Sequence, residues 1–142
     1  MSTFAELLVN SRGRMPGDVQ AEAAREFCCR VRKSRLYLRR PDEPLASGTV
    51  VVLGVASYSP EELTLLDDID ARYDHRPPDI TRVDVFNVLD CHSQQDFQKF
   101  LPGSQSDVHQ TPVLGIWIDQ QLQSIVTGLA AVRKTLASLG ML

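Results

Sequence analysis

Three cysteines, three histidines and one run of arginines are the side chains of this 142-residue chain with the most obvious chemistry. Cys28 and Cys29 are adjacent and could pair with each other only in a strained ring, and the odd count argues against a disulfide framework. A zinc site needs about four ligands at short paired spacings. Cys91-His92 has no such companion, so no metal and no cofactor is expected. Cys91 could serve as a lone nucleophile if His92 lowered its pKa, but adjacent residues rarely face each other, and a cysteine near a strand end is more often a small core residue. His109 precedes Thr111 and either contacts a ligand or is solvated like most loop histidines. No residue is nominated as catalytic.

The arginine run comprises Arg25, Arg30, Arg32, Lys33, Arg35, Arg39 and Arg40, with only Glu26 opposing it. Residues 1–40 carry a net charge of +5 and residues 41–142 a net of −8, within an overall −3. A basic arm on an acidic body could meet a polyanion. The body would repel that polyanion, and only Tyr37 interleaves the cations, so nucleic acid is not the expected partner. Self-docking is: the arm lies across its own acidic helix or that of a neighbouring subunit, as in a homo-oligomer built through the arm.

The elements that position these groups follow from pattern. Hydrophobic content of 43% and charged content of 23% suit one globular core. The longest apolar run, Val50 to Ala56, is strand-sized, far short of the roughly 18–20 residues that cross a bilayer. Met1 to Val9 lacks a basic leader region and is interrupted by Glu6, so a cytoplasmic protein is expected. Phe4, Leu7, Leu8 and Val9 form a short apolar patch before breaker-rich residues 11–17. Asp18 then caps an amphipathic helix over about 19–33, with Ala23, Phe27, Cys28 and Val31 on its apolar face. Leu36-Tyr37-Leu38 reads as a linker or edge segment, closed by Pro41 and Pro44.

Residues 49–56 are β-branched and continuously apolar, which predicts a central strand buried on both faces. Ser59-Pro60-Glu61-Glu62 supplies a capping hydroxyl, proline at the first helical position and glutamate three residues after the cap. Leu63, Leu66, Ile69 and Tyr73 line the inner face of that helix. Residues 80–89 form the next strand, parallel to the first by a right-handed crossover. Ser93 and Asp96 cap a short helix carrying Phe97, Phe100 and Leu101 inward. Residues 113–118 and 122–127 flank Asp119-Gln120-Gln121 as a hairpin. Without Asn-Gly or Asp-Gly that turn is expected to be longer or less ideal. A last helix runs from Gly128 to Gly140.

Strand, helix, strand, helix, Thr111-Pro112, hairpin, Gly128, helix: this order resembles the thioredoxin-like superfamily over about 90 residues, with Thr111-Pro112 placed like that family's cis-proline element. The resemblance implies an α/β, three-layer fold with a mixed sheet. Residues 1–44 become an N-terminal extension with one basic helix, and 45–142 the thioredoxin-like domain. Where redox-active members have Trp-Cys-Gly-Pro-Cys, this chain has Ala56-Ser57-Tyr58-Ser59-Pro60, so the dithiol is missing. Serine cannot substitute for a thiolate in disulfide exchange. A weaker resemblance links the chain to KaiB-type thioredoxin-like proteins, which also lack the dithiol, although the hairpin and final helix follow the ordinary layout.

The family's site position then holds Ser57, Tyr58 and Ser59, which with Gln110, Thr111 and Pro112 are expected to form one exposed groove for an extended protein segment. Alternatively, Ser59 only caps its helix and Tyr58 only packs. The resulting expectation is a redox-inactive binding or adaptor protein and not an enzyme. The rival is a single-thiol peroxidase or glutathione-dependent enzyme using Cys91 near the cis-proline loop.

Overall fold

The computed structural model describes residues 16–104, 108 and 110–142. The apolar patch at Phe4 to Val9 and His109 lie outside the described residues. Helix α1 spans Pro16–Lys33, beginning before the expected Val19; proline suits a first turn, where its missing N–H costs nothing. Strand β1 (Tyr37–Leu38) follows, then β2 (Thr49–Val55), α2 (Pro60–Ala71), β3 (Ile80–Asn87), α3 (Gln94–Phe100), β4 (Val113–Ile118), β5 (Gln121–Thr127) and α4 (Leu129–Ser138).

The five strands form one mixed sheet in the order β1-β3-β2-β4-β5. Strand β3 runs parallel to both β1 and β2, while β4 is antiparallel to β2 and to β5. Strand β2 is central and buried along nearly its whole length, as its unbroken apolar run requires. Its residues alternate between two cores. Val51, Leu53 and Val55 point into the larger one, with Leu63, Leu66 and Ile69 of α2, Val132 and Leu136 of α4, and Phe27 and Val31 of α1. Val50 and Val52 point into the smaller one with Phe86, Phe100, Leu101 and Trp117. Three helices thus cover one face and the short α3 the other, giving three layers. The added N-terminal helix packs on the domain through Phe27 and Val31, each contributing about 1.5–3 kcal/mol by burial.

Strand β3 is shorter than the expected 80–89, and from Val83 to Asn87 it is buried on both faces. Asp84 is fully buried, and regular pairing stops at Asn87, where a 3-10 turn covers Val88–Asp90. Phe86 stacks on Phe100 at 4.4 Å between ring centroids, fixing α3 against the sheet.

The hairpin is tighter than expected. Ile118 pairs directly with Gln121, so the loop has two residues, Asp119 and Gln120, both with positive φ (49° and 70°) as a type I′ turn demands. Neither is glycine, and non-local bonds hold them there. Asp119 exchanges hydrogen bonds with Gly48, accepting at Oδ1 (3.2 Å) and donating its N–H (3.0 Å), and Gln120 Nε2 donates to the Leu45 carbonyl (3.2 Å). At the chain's end Gly140 adopts φ +79°, and the Met141 N–H returns to the Leu136 carbonyl, a Schellman closure of α4.

Candidate functional site

The loop between β2 and α2 is pinned by short polar contacts. Ser59 caps α2, its Oγ accepting from the Glu62 N–H at 3.4 Å. Glu62 does not return its side chain to the Ser59 N–H, as a closed capping box would; that N–H donates to the Ala56 carbonyl at 3.0 Å. The buried Glu62 carboxyl instead accepts from the Ala56 N–H (3.1 Å) and from the Thr111 hydroxyl (3.2 Å). One side chain therefore ties two loops that are far apart in sequence. The Thr111–Pro112 bond is cis, and the Pro112 carbonyl accepts from the Gly128 N–H at 3.0 Å, joining the start of α4 to the same cluster.

Ser57 is not a wall of an exposed groove. It is 0% exposed, and its Oγ accepts from Asn87 Nδ2 at 3.0 Å, while Asn87 Oδ1 accepts from the Leu89 N–H. Pro112 is also buried. The accessible part of the expected set is Tyr58, 58% exposed, with Gln110 and the half-buried Thr111. Gln110 and Thr111 open onto a cavity of roughly 560 Å³ whose far wall is Thr127 to Ala131; Tyr58 does not line it. That wall is uncharged and, apart from Leu129, made of small residues. Gly128 sits at φ +89°, and a Cβ there would come within 3.0 Å of the Gln110 amide oxygen. Glu62, Asn87 and the residues 127–131 were not singled out from the sequence. The Ser-Pro-Glu-Glu pattern marks Glu62 only as a cap, and nothing local predicts its reach to Thr111.

The thiols are poorly disposed for nucleophilic work. Burial, reinforced by Asp96 and Asp90, pushes Cys91 up to about 12, the reverse of an activated thiol. Burial likewise raises Cys28, on the face of α1 toward the core, with the Asp90 charge adding to it. Cys29 is exposed. Among the described residues no group of three or more His, Cys, Asp or Glu could hold a metal ion, and no helix is long and apolar enough to cross a membrane.

The basic run divides. Arg39 is not an exposed cation: its side chain and that of Asp84 are both 0% exposed, paired at 3.0 Å. Its Nε also donates to the Phe100 carbonyl (2.8 Å), at the end of α3, and its other terminal nitrogen to the Glu43 carbonyl (2.6 Å). Arg82 joins from the partly exposed side, donating to both oxygens of Asp84, approaching Glu43 at 3.5 Å and lying 3.8 Å over the Tyr37 ring. Arg35 docks on the acidic helix: its N–H meets Asp70 Oδ1, and its guanidinium reaches the Asp70 carbonyl and Asp74. Arg25, Arg32, Lys33 and Arg40 are exposed, and Arg30 is half-buried on α1.

No family model matches the sequence, and no curated protein matches it. Among solved structures the chain is similar to thioredoxin O2 from Arabidopsis thaliana in its oxidized state, at 13% identity and a TM-score of 0.47, over 75% of this chain and 96% of that one. It is also similar to a yeast mitochondrial 1-Cys peroxiredoxin, at 17% identity and a TM-score of 0.42, over 75% of this chain and 99% of that one. With the strand order β1-β3-β2-β4-β5, a helix capped directly after the central strand and Thr111-Pro112 laid beside that cap, the chain has a thioredoxin-like fold.

Proposed function

We propose that this is a redox-inactive thioredoxin-like binding protein that holds an extended segment of a protein partner between Tyr58 and the Gln110-Thr111 loop. The observation that carries this reading is the double hydrogen bond of Glu62. It fixes the Ala56 to Ser59 loop and the Thr111 loop relative to each other with no thiol at their meeting point. A surface held rigid without a reactive group suits recognition, because little ordering entropy remains to be lost on binding. The far wall adds to this: Gly128, Ala130 and Ala131 let a partner's backbone approach closely. Tyr58 supplies a large exposed ring of the kind that anchors interfaces. The raised pKa of Cys91 gives the single-thiol reading no support.

The test is capture of partners from native lysate by the purified protein, compared with Tyr58→Ala and Gln110→Ala. Both side chains are exposed, so both variants should fold with stability within about 0.5 kcal/mol of the parent. A specific partner retained by the parent and lost in either variant supports the groove. Equal capture by all three refutes it.

A further inference from the structure

The exposed arginines of the N-terminal segment flank a feature that the groove does not use, the edge of the sheet at β1. Among the described residues β1 pairs only with β3. Arg39 donates its N–H to the Val85 carbonyl at 2.9 Å, so by alternation along the strand the Leu38 N–H and carbonyl point away from β3, toward the open side. Beside that edge lies a cavity of roughly 270 Å³ lined by Arg32, Leu36, Tyr37, Leu38 and Arg40. Arg32 lies in the last turn of α1 and Arg40 follows β1, and both are exposed.

Every other arginine near this edge is committed. Arg35 is bound by Asp70 and Asp74, Arg39 by Asp84, and Arg82 by Asp84 and Glu43. Among the described residues, no carboxylate pairs with the guanidinium of Arg32 or of Arg40. Two guanidinium groups with no carboxylate partner among the described residues thus flank a strand edge with a backbone donor and acceptor facing away from β3, over a floor of leucine side chains.

We infer that the β1 edge, with Arg32 and Arg40, is a docking site for an acidic segment of another protein, bound in extended form as an added strand. The edge offers main-chain hydrogen bonds in strand register, and the guanidinium pair selects carboxylates that alternate with apolar residues along that strand. Two features favour a peptide over a nucleic acid. A nucleic acid has no backbone to continue the ladder, and the remainder of the chain, at net −8 over residues 41–142, repels a long polyanion but not a short acidic segment. The site shares no residue with the groove around Gln110, so each stands or falls alone.

The experiment is fluorescence anisotropy with a labelled Glu-Val-Glu-Val-Glu-Val peptide on the full chain. The parent should bind it, and Arg32→Ala with Arg40→Ala should weaken binding about tenfold or more, the loss of charge-assisted hydrogen bonds. Circular dichroism should show the double variant folded, since both side chains are exposed and neither guanidinium pairs with a carboxylate among the described residues. Lys134→Ala, which removes an exposed cation on α4, should leave binding unchanged. A Gln-Val version of the peptide should bind as weakly to the parent as the original does to the double variant. Backbone N-methylation of the central residues should weaken binding as well. Equal affinity in parent and double variant, no binding of the acidic peptide, or preferred binding of a thymidine oligonucleotide or phosphatidylserine vesicles would overturn the inference.

Discussion

Arg39 and Glu62 are both buried ionisable side chains that link distant parts of the chain, and the contrast between them separates what holds this molecule together from what shapes its surface. Arg39 is matched by a full opposite charge, Asp84, and further bound by two carbonyls, so that β1 is fastened to β3 and to the end of α3. Among the described residues Glu62 is matched only by neutral donors, a backbone N–H and a hydroxyl. Removing one partner of a buried ion pair leaves an uncompensated charge. Removing a hydrogen-bonded carboxyl leaves unsatisfied donors, a smaller loss. The first network should therefore govern global stability, and the second the relative placement of two loops.

Breaking the first gives the largest effect expected. Asp84→Ala should cost about 3–5 kcal/mol in urea unfolding, because Arg39 stays buried without its counter-charge. Replacing both partners, Arg39→Met with Asp84→Leu, should recover much of that loss. A single-variant cost under about 1 kcal/mol would show that Arg39 finds solvent when unpaired. Glu62→Ala comes next, at about 1–3 kcal/mol, with NMR shift changes at both Ala56 and Thr111 and loss of partner capture. Shift changes confined to Ala56 would break the claim that one residue couples both loops. Thr111→Val keeps the shape and removes only the hydroxyl, and should cost about 1 kcal/mol while leaving the Ala56 bond intact.

The smallest effect concerns Glu43 at the margin of the ion network. Burial alone would raise its pKa, but the Tyr37 hydroxyl, the Arg40 N–H and the charges of Arg82 and Arg39 outweigh it and hold the carboxyl below its ordinary value of 4.5. A carboxyl depressed in the folded state contributes stability above its unfolded pKa and loses it as pH falls through the lower folded one. Glu43→Gln should therefore lower stability at neutrality, and its difference from the parent should shrink as pH falls below about 5 and through the lower folded pKa. A difference that persists unchanged from neutrality to acid would place the role of Glu43 in its shape and not in its charge.

Much of the fold is written locally. The run Val50 to Val55 can be satisfied only with both faces covered, and Ser59-Pro60 can hardly be anything but a helix start. The two networks are not local. Arg39 sits in a string of cations that reads as solvated, and its burial depends on a carboxylate 45 residues further on. Ser57 looks like an exposed loop hydroxyl until Asn87, 30 residues away, reaches it. The Asp119-Gln120 turn lacks the glycine that would announce it, and the bonds to Gly48 and Leu45 that hold it are equally remote. Polarity reports a residue's cost of burial, whereas the partner that offsets it comes from topology.

The reach of Arg39 also sets an order of events during synthesis. Its guanidinium is satisfied only when Asp84 and the Phe100 carbonyl, 61 residues downstream, are both in place. Helix α1 and β1 are made before β3 and α3, yet β1 cannot be locked down until residue 100 has emerged. A segment made before its partners is thus secured only after them, and for that interval its cations are open to whatever acidic surface lies nearest.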